Sequence, residues 1–144
     1  MGRSYWFECS KCSYRVKVSG RADRGVNVFV QTIHCRDCKE LLDAVTRIRM
    51  PDQAPGPVRA RFSAGGLAWF KLAGRNWATD GPPSLQTALG RLSYTGFTRF
   101  KWLDFEPQCP VSPRHSVQSW SEPGKCPKCG VFLEKSAVPY RVWD

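Results

Sequence analysis

Six of the chain's seven cysteines stand in Cys-x-x-Cys pairs: Cys9/Cys12, Cys35/Cys38 and Cys126/Cys129. The seventh, Cys109, lies six positions before His115. Seven thiols and one imidazole make eight ligands, and two tetrahedral metal sites need eight. Two residues between paired cysteines let a tight turn aim both sulfurs at one ion, and backbone N–H groups in that turn can bond the thiolates. Read in chain order, the spacing predicts a four-cysteine site from Cys9, Cys12, Cys35 and Cys38. It predicts a second site, of three cysteines and one histidine, from Cys109, His115, Cys126 and Cys129. Both are expected to hold structural zinc, although four thiolates at the N-terminal site also suit iron.

Other chemistries fit the cysteines less well. Disulfides belong to oxidising compartments, and Glu8, Lys11, Arg15 and Lys17 interrupt any apolar leader at the start of the chain. A reducing, cytoplasmic location is therefore expected. A thioredoxin-like motif needs its Cys-x-x-Cys at the head of a helix, whereas Cys9 to Cys12 sits between strand-like runs. A deaminase-like zinc site needs Glu two residues after its His, and Val117 occupies that position. His34 would become a ligand only if Cys9 or Cys12 failed, and otherwise reads as an ordinary strand residue.

Alternation of apolar and polar residues marks strands at Tyr5–Cys9, at Tyr14–Val18 and at Thr46–Met50. Val26–Ile33 fits a helix face or a strand, and its β-branched content favours strand. Pro51, Pro55 and Pro57 form a Pro-rich linker. Ser84 reads as the N-cap of one short helix with Leu85, Ala88, Leu89 and Leu92 on one face. Three segments follow: 1–51 around the first site, a β-rich middle at 52–108, and 109–144 around the second. The expected fold class is a small, metal-stapled, mainly β protein. With 42% hydrophobic residues and six Trp the chain is too apolar to be disordered. It has no apolar run of the roughly 18–20 residues that cross a bilayer, so no membrane partner is expected.

Two cysteine knuckles joined by strands, over about residues 4–50, resemble a zinc ribbon. That module occurs in RNA polymerase subunits, transcription elongation factors and ribosomal proteins. Cys126-Pro127-Lys128-Cys129-Gly130 is similar to a ribbon or rubredoxin knuckle, with Gly130 supplying a positive φ after the ligand. The sequence departs from the pattern at Ser13, where Gly is frequent, and at Cys109…His115, which replaces a Cys-x-x-Cys. The resemblance implies a fold, and a role in binding nucleic acid or protein more than in catalysis.

Lys and Arg number 22 against 12 Asp and Glu, a net charge of +10. Such a balance favours acidic partners, nucleic acid or a nucleoprotein complex first. Cations mixed with aromatics sharpen that expectation, because bases stack on rings while Lys and Arg hold phosphates. The candidates are Arg15, Lys17, Arg47 and Arg49 in the first segment, and Arg59, Arg61, Trp69, Arg99, Lys101 and Trp102 in the middle. The competing expectation puts Trp69, Trp77, Trp102 and Trp120 in the core and the strand cations on a solvated face. With two histidines, no phosphate-binding loop and no nucleophile elbow, the chain is not expected to be an enzyme. The alternative to nucleic-acid binding is a zinc-stapled adaptor between proteins, and a metalloenzyme or thiol oxidoreductase comes third.

Overall fold

The computed structural model describes residues 1–51, 84, 85, 88 and 100–143. Their regular elements are strands: β1 (Gly2–Glu8), β2 (Arg15–Val18), β3 (Asp23–Arg24), β4 (Val28–Cys35), β5 (Glu40–Pro51), β6 (Phe100–Asp104), β7 (Val117–Ser119), β8 (Glu134–Lys135) and β9 (Arg141–Trp143). The mainly β reading therefore holds for these residues. Of the expected short helix, Ser84, Leu85 and Ala88 are described, and the Ala88 N–H donates to the Ser84 carbonyl at 2.9 Å. Leu89 and Leu92 lie outside the described residues, as do the Pro-rich linker and the strand-like runs of residues 58–72.

The strands form two antiparallel sheets. In the first, β1 lies between β2 and β8, and β9 also pairs with β1. Residues 134–143 follow one edge of β1: β8 pairs with Phe7 and Glu8, and β9 with Gly2, Arg3 and Ser4. Between them the N–H groups of Ser136 and Tyr140 donate to the carbonyls of Trp6 and Ser4. In the second sheet the order is β3-β4-β5-β6, with β7 also on β4. The segment that fits both helix and strand is β4. Val28, Val30 and Thr32 are buried on alternate positions, as β-branched residues on a pleated surface should be. Phe29 faces Arg47 while Val30 faces Val45, so Thr46 is the extra residue of a β-bulge.

Both terminal segments contribute to both sheets, because β1 takes its partners β8 and β9 from residues 134–143 and β4 takes β7 from 117–119. Packing joins the sheets further. One cluster combines Phe7, Tyr14, Val18 and Leu133 with Leu41 of β5 and with Trp120. Phe7 and Trp120 meet edge to face, with ring centroids 5.3 Å apart. A second cluster sets Trp143 of β9 against Val28, Val30, Val45 and Ile48 of the other sheet. Polar contacts cross the same seam. The half-buried Asp43 carboxylate of β5 accepts from the Ser19 N–H and hydroxyl and from the Thr32 hydroxyl, at 2.7–3.1 Å. The Leu41 N–H donates to the Tyr14 hydroxyl at 2.9 Å.

Candidate metal centres

All eight expected ligands come together in two groups of four, but not in chain order. Cys9 and Cys12 meet Cys126 and Cys129, while Cys35 and Cys38 meet Cys109 and His115. This corrects the expected sites, in which Cys9 and Cys12 shared an ion with Cys35 and Cys38. Strand pairing supplies the reason. Cys9 and Cys12 form the turn of the β1–β2 hairpin, closed at Glu8 opposite Arg15. Cys35 and Cys38 form the turn between β4 and β5, closed at Cys35 opposite Glu40. Each turn thus belongs to its own hairpin and faces whatever strand joins that hairpin's edge. The edge of β1 receives β8, preceded by the Cys126–Cys129 loop. The edge of β4 receives β7, with Cys35 opposite Val117 and hence close to His115.

The resulting order is nested: outer, inner, inner, outer. Chain entropy opposes it only slightly. The inner group closes 70 residues between Cys38 and Cys109. The outer group then closes the 22- and 10-residue connections that flank it. Against sequential closure of those short connections, nesting costs about 2 kcal/mol. The pairings of β8 with β1 and of β7 with β4 set the grouping against that cost.

The geometry fits a tetrahedral ion. Within each group the ligand atoms all lie within 4.8 Å of one another. Around zinc, with Zn–S near 2.3 Å, two sulfurs at tetrahedral corners stand roughly 3.8 Å apart. The outer group shows Cys9 Sγ to Cys129 Sγ at 3.3 Å and Cys12 Sγ to Cys126 Sγ at 3.6 Å. In the inner group Cys38 Sγ is 3.8 Å from Cys109 Sγ, and His115 Nδ1 is 3.3 Å from Cys38 Sγ and 3.6 Å from Cys35 Sγ. The histidine therefore presents Nδ1 to the site. His34 belongs to neither group. It sits in β4 opposite Leu41 and Gln118, and burial with nearby Arg36 pushes its pKa down.

Turn geometry recurs at three of the ligand loops. Ser13 and Lys39 follow the second cysteine of their pairs with φ of 57° and 54°, and Gly130 does so with φ of 77°. The positive φ expected at Gly130 is present, and Ser13 adopts the same conformation without being glycine. The Cys38 N–H points at Cys35 Sγ at 3.4 Å, as expected of such a turn. Electrostatics matches this layout. The Cys9 thiol is drawn down to about 6, first by its hydrogen bond to the Cys12 backbone. Cys38 is pushed up to about 12, chiefly by its hydrogen bond with Cys35 and then by burial. Each group thus divides its protons unevenly among crowded sulfurs, and a divalent cation can replace them.

The cations named from sequence fall on two strand faces. On β1–β2, Arg15 lies 3.9 Å over the Trp6 ring and pairs with Glu8 at 2.5 Å. Lys17 lies 4.5 Å over Trp6 and 3.9 Å over Tyr140. Its hydrogen bond lowers the pKa of Tyr140. On β5–β6, Arg49 lies 4.0 Å over the Phe100 ring. Arg47 pairs with Asp104 and stands 5.7 Å from the Phe29 ring and 5.8 Å from the Trp102 ring. Trp102 is 38% exposed, so of the core expectations for tryptophan this one fails while Trp120, at 8%, holds. Lys101 is exposed opposite Met50. Arg59, Arg61, Trp69, Trp77 and Arg99 lie outside the described residues. Sequence reasoning missed Trp6, Phe29, Phe100 and Tyr140 as partners of these cations. The β1 alternation placed Trp6 beside Glu8, but only the register shows Lys17 across from it.

No family model matches the chain, and neither a curated protein nor a solved structure matches it.

Proposed function

We propose a non-enzymatic protein with two structural zinc ions that binds single-stranded or structured nucleic acid, alone or within a nucleoprotein complex. Cys9, Cys12, Cys126 and Cys129 would hold one ion and Cys35, Cys38, Cys109 and His115 the other. The ions fix the hairpin turns and leave the strand faces for binding. One observation carries the reading: two strand faces, Trp6–Tyr140 with Arg15 and Lys17 and Phe29–Trp102 with Arg47 and Arg49, each combine aromatic rings with cations. Rings of this kind stack on bases and the cations hold phosphates, with little preference for sequence.

A protein-binding adaptor is the second reading. It is favoured by exposed apolar residues at alternate positions along the edge formed by residues 134–143: Val138 at 72%, Tyr140 at 52% and Val142 at 46%. Binding of a labelled oligonucleotide over a range of salt separates the two. With ~3–5 phosphates contacted, log K should fall against log salt with a slope of roughly −2 to −4. Replacing Arg47 and Arg49 together, or Arg15 and Lys17 together, should flatten the slope by about 1.5 for the face in use. Absence of RNA and DNA binding near ~50 mM salt puts the adaptor reading first.

A further inference from the structure

Beside the Phe29–Trp102 face lies an open groove of about 610 Å³ between β3, β4 and the bulge of β5. Its lining includes Arg21, Asp23, Arg24, Phe29, Gln31 and Thr46. Three independent features converge on it. The first is charge. Arg21 and Arg24 are exposed, and neither pairs with a carboxylate among the described residues, unlike Arg15 and Arg47. Asp23, the carboxylate lining the groove, is engaged by backbone, accepting from the Arg3 N–H at 2.7 Å and the Arg24 N–H at 2.8 Å. The second is backbone. Thr46, the extra residue at the register shift, lines the groove, and bulges of this kind re-aim side chains beside sites. The third is a polar lining residue. Gln31 donates through Nε2 to the Thr32 carbonyl at 3.1 Å, which fixes the amide and leaves its oxygen as an acceptor.

We infer that this groove receives one unstacked nucleotide of a bound single strand, its base against Phe29 and its phosphate between Arg21 and Arg24. The inference rests on the nucleic-acid reading above and adds the place where the strand is gripped. Strand continuity supports it, because Phe29 belongs both to the groove and to the exposed face with Trp102, 5.1 Å between ring centroids. A base held in the groove thus lies one ring away from the next stacking surface.

The test uses the full, zinc-loaded chain and a labelled single-stranded decanucleotide at ~0.1 M salt, an ionic strength at which exposed charges still act over about 10 Å. The double variant Arg21→Ala/Arg24→Ala should lose more than tenfold in affinity. Phe29→Leu should lose affinity while keeping both metal ions. A charge-matched control, Lys135→Ala/Arg141→Ala, outside the groove and outside the cysteine loops, should change affinity less than threefold. Amide NMR shifts of Gln31 and Thr46 on adding the oligonucleotide report the same contact in the unaltered protein. Binding by the wild type, with the groove variants behaving like the control and those amides unmoved, overturns the groove and leaves the broader reading standing. Absence of binding by the wild type overturns both.

Discussion

The two metal groups share a plan and differ in what surrounds them. In the outer group two ligands belong to an apolar cluster, Cys9 and Cys126 packing with Phe7, Tyr14, Leu41, Trp120 and Leu133, whereas the equally buried Cys35 and Cys109 of the inner group join neither cluster. In the inner group the long hairpin of β4 and β5 extends away from the site, and its apolar cluster of Val28, Val30, Val45 and Ile48 contains no ligand. A hairpin that packs apart from its metal can keep structure when the ion leaves. A core built on the ligands cannot. The difference teaches that the same knuckle can act as a hydrophobic anchor in one sheet and as a clamp on the end of another.

Metal removal tests this most strongly. Chelation should withdraw ~10–16 kcal/mol per site. Hydrogen exchange should then show β1, β2 and β8 losing protection first, while the distal half of β4–β5 stays protected longer. Simultaneous loss in both sheets would break the comparison.

The next effect separates the ligand sets. His115→Ala should cost the inner group more than the ~10–100-fold that loss of a supporting hydrogen bond costs, with the outer group still loaded. In the cobalt-substituted protein, thiolate charge-transfer absorption should reflect four sulfurs in one group and three in the other. His115→Cys should make them alike. Unchanged spectra in that variant would mean that His115 is not a ligand.

The seam between the sheets should respond to pH through Asp43. Burial raises its carboxyl pKa above the ordinary value, against hydrogen bonds from Thr32 and Ser19. The folded state therefore holds that proton more tightly than the unfolded chain. The stability this brings is complete below the ordinary carboxyl range and is lost as pH rises through the elevated pKa. Denaturant unfolding with zinc in excess should show the wild type gaining on Asp43→Asn as pH falls from 7 toward 4. A constant difference would mean that Asp43 is not strained by burial.

The smallest effect compares the turns themselves. Ser13 and Lys39 hold a left-handed backbone that Gly130 adopts freely. Ser13→Gly or Lys39→Gly should stabilise the chain by about 1 kcal/mol, read from its thermal midpoint with metal bound. Destabilisation by either would show that the side chain contributes more than its backbone strain costs.

Much of this was legible in the sequence. Eight ligands stood out because thiol pairs at a fixed spacing have few other uses. The strand character of β4 followed from β-branched residues at Val28, Val30 and Thr32. Their partition into sites was not legible, because every Cys-x-x-Cys pair offers the same two sulfurs and ligand counts balance either way. What decided it was that Phe7 lies opposite Lys135 and Cys35 opposite Val117, long-range register that no local pattern encodes. The aromatic partners of the cations stayed hidden for the same reason. Lys17 and Tyr140 are far apart in the chain and meet only because residues 134–143 line β1.

Nesting also sets a timetable during synthesis. Cys12 emerges from the ribosome 114 residues ahead of Cys126, and at ~5–20 residues per second the first pair waits about 6–23 seconds for its partners. Throughout that interval β1 lacks its β8 and β9 neighbours, and two nucleophilic sulfurs meet the cell's oxidants and metals unguarded. The inner site can close meanwhile, so the nascent chain is secured first in the middle of its sequence and only later at its outer cysteines.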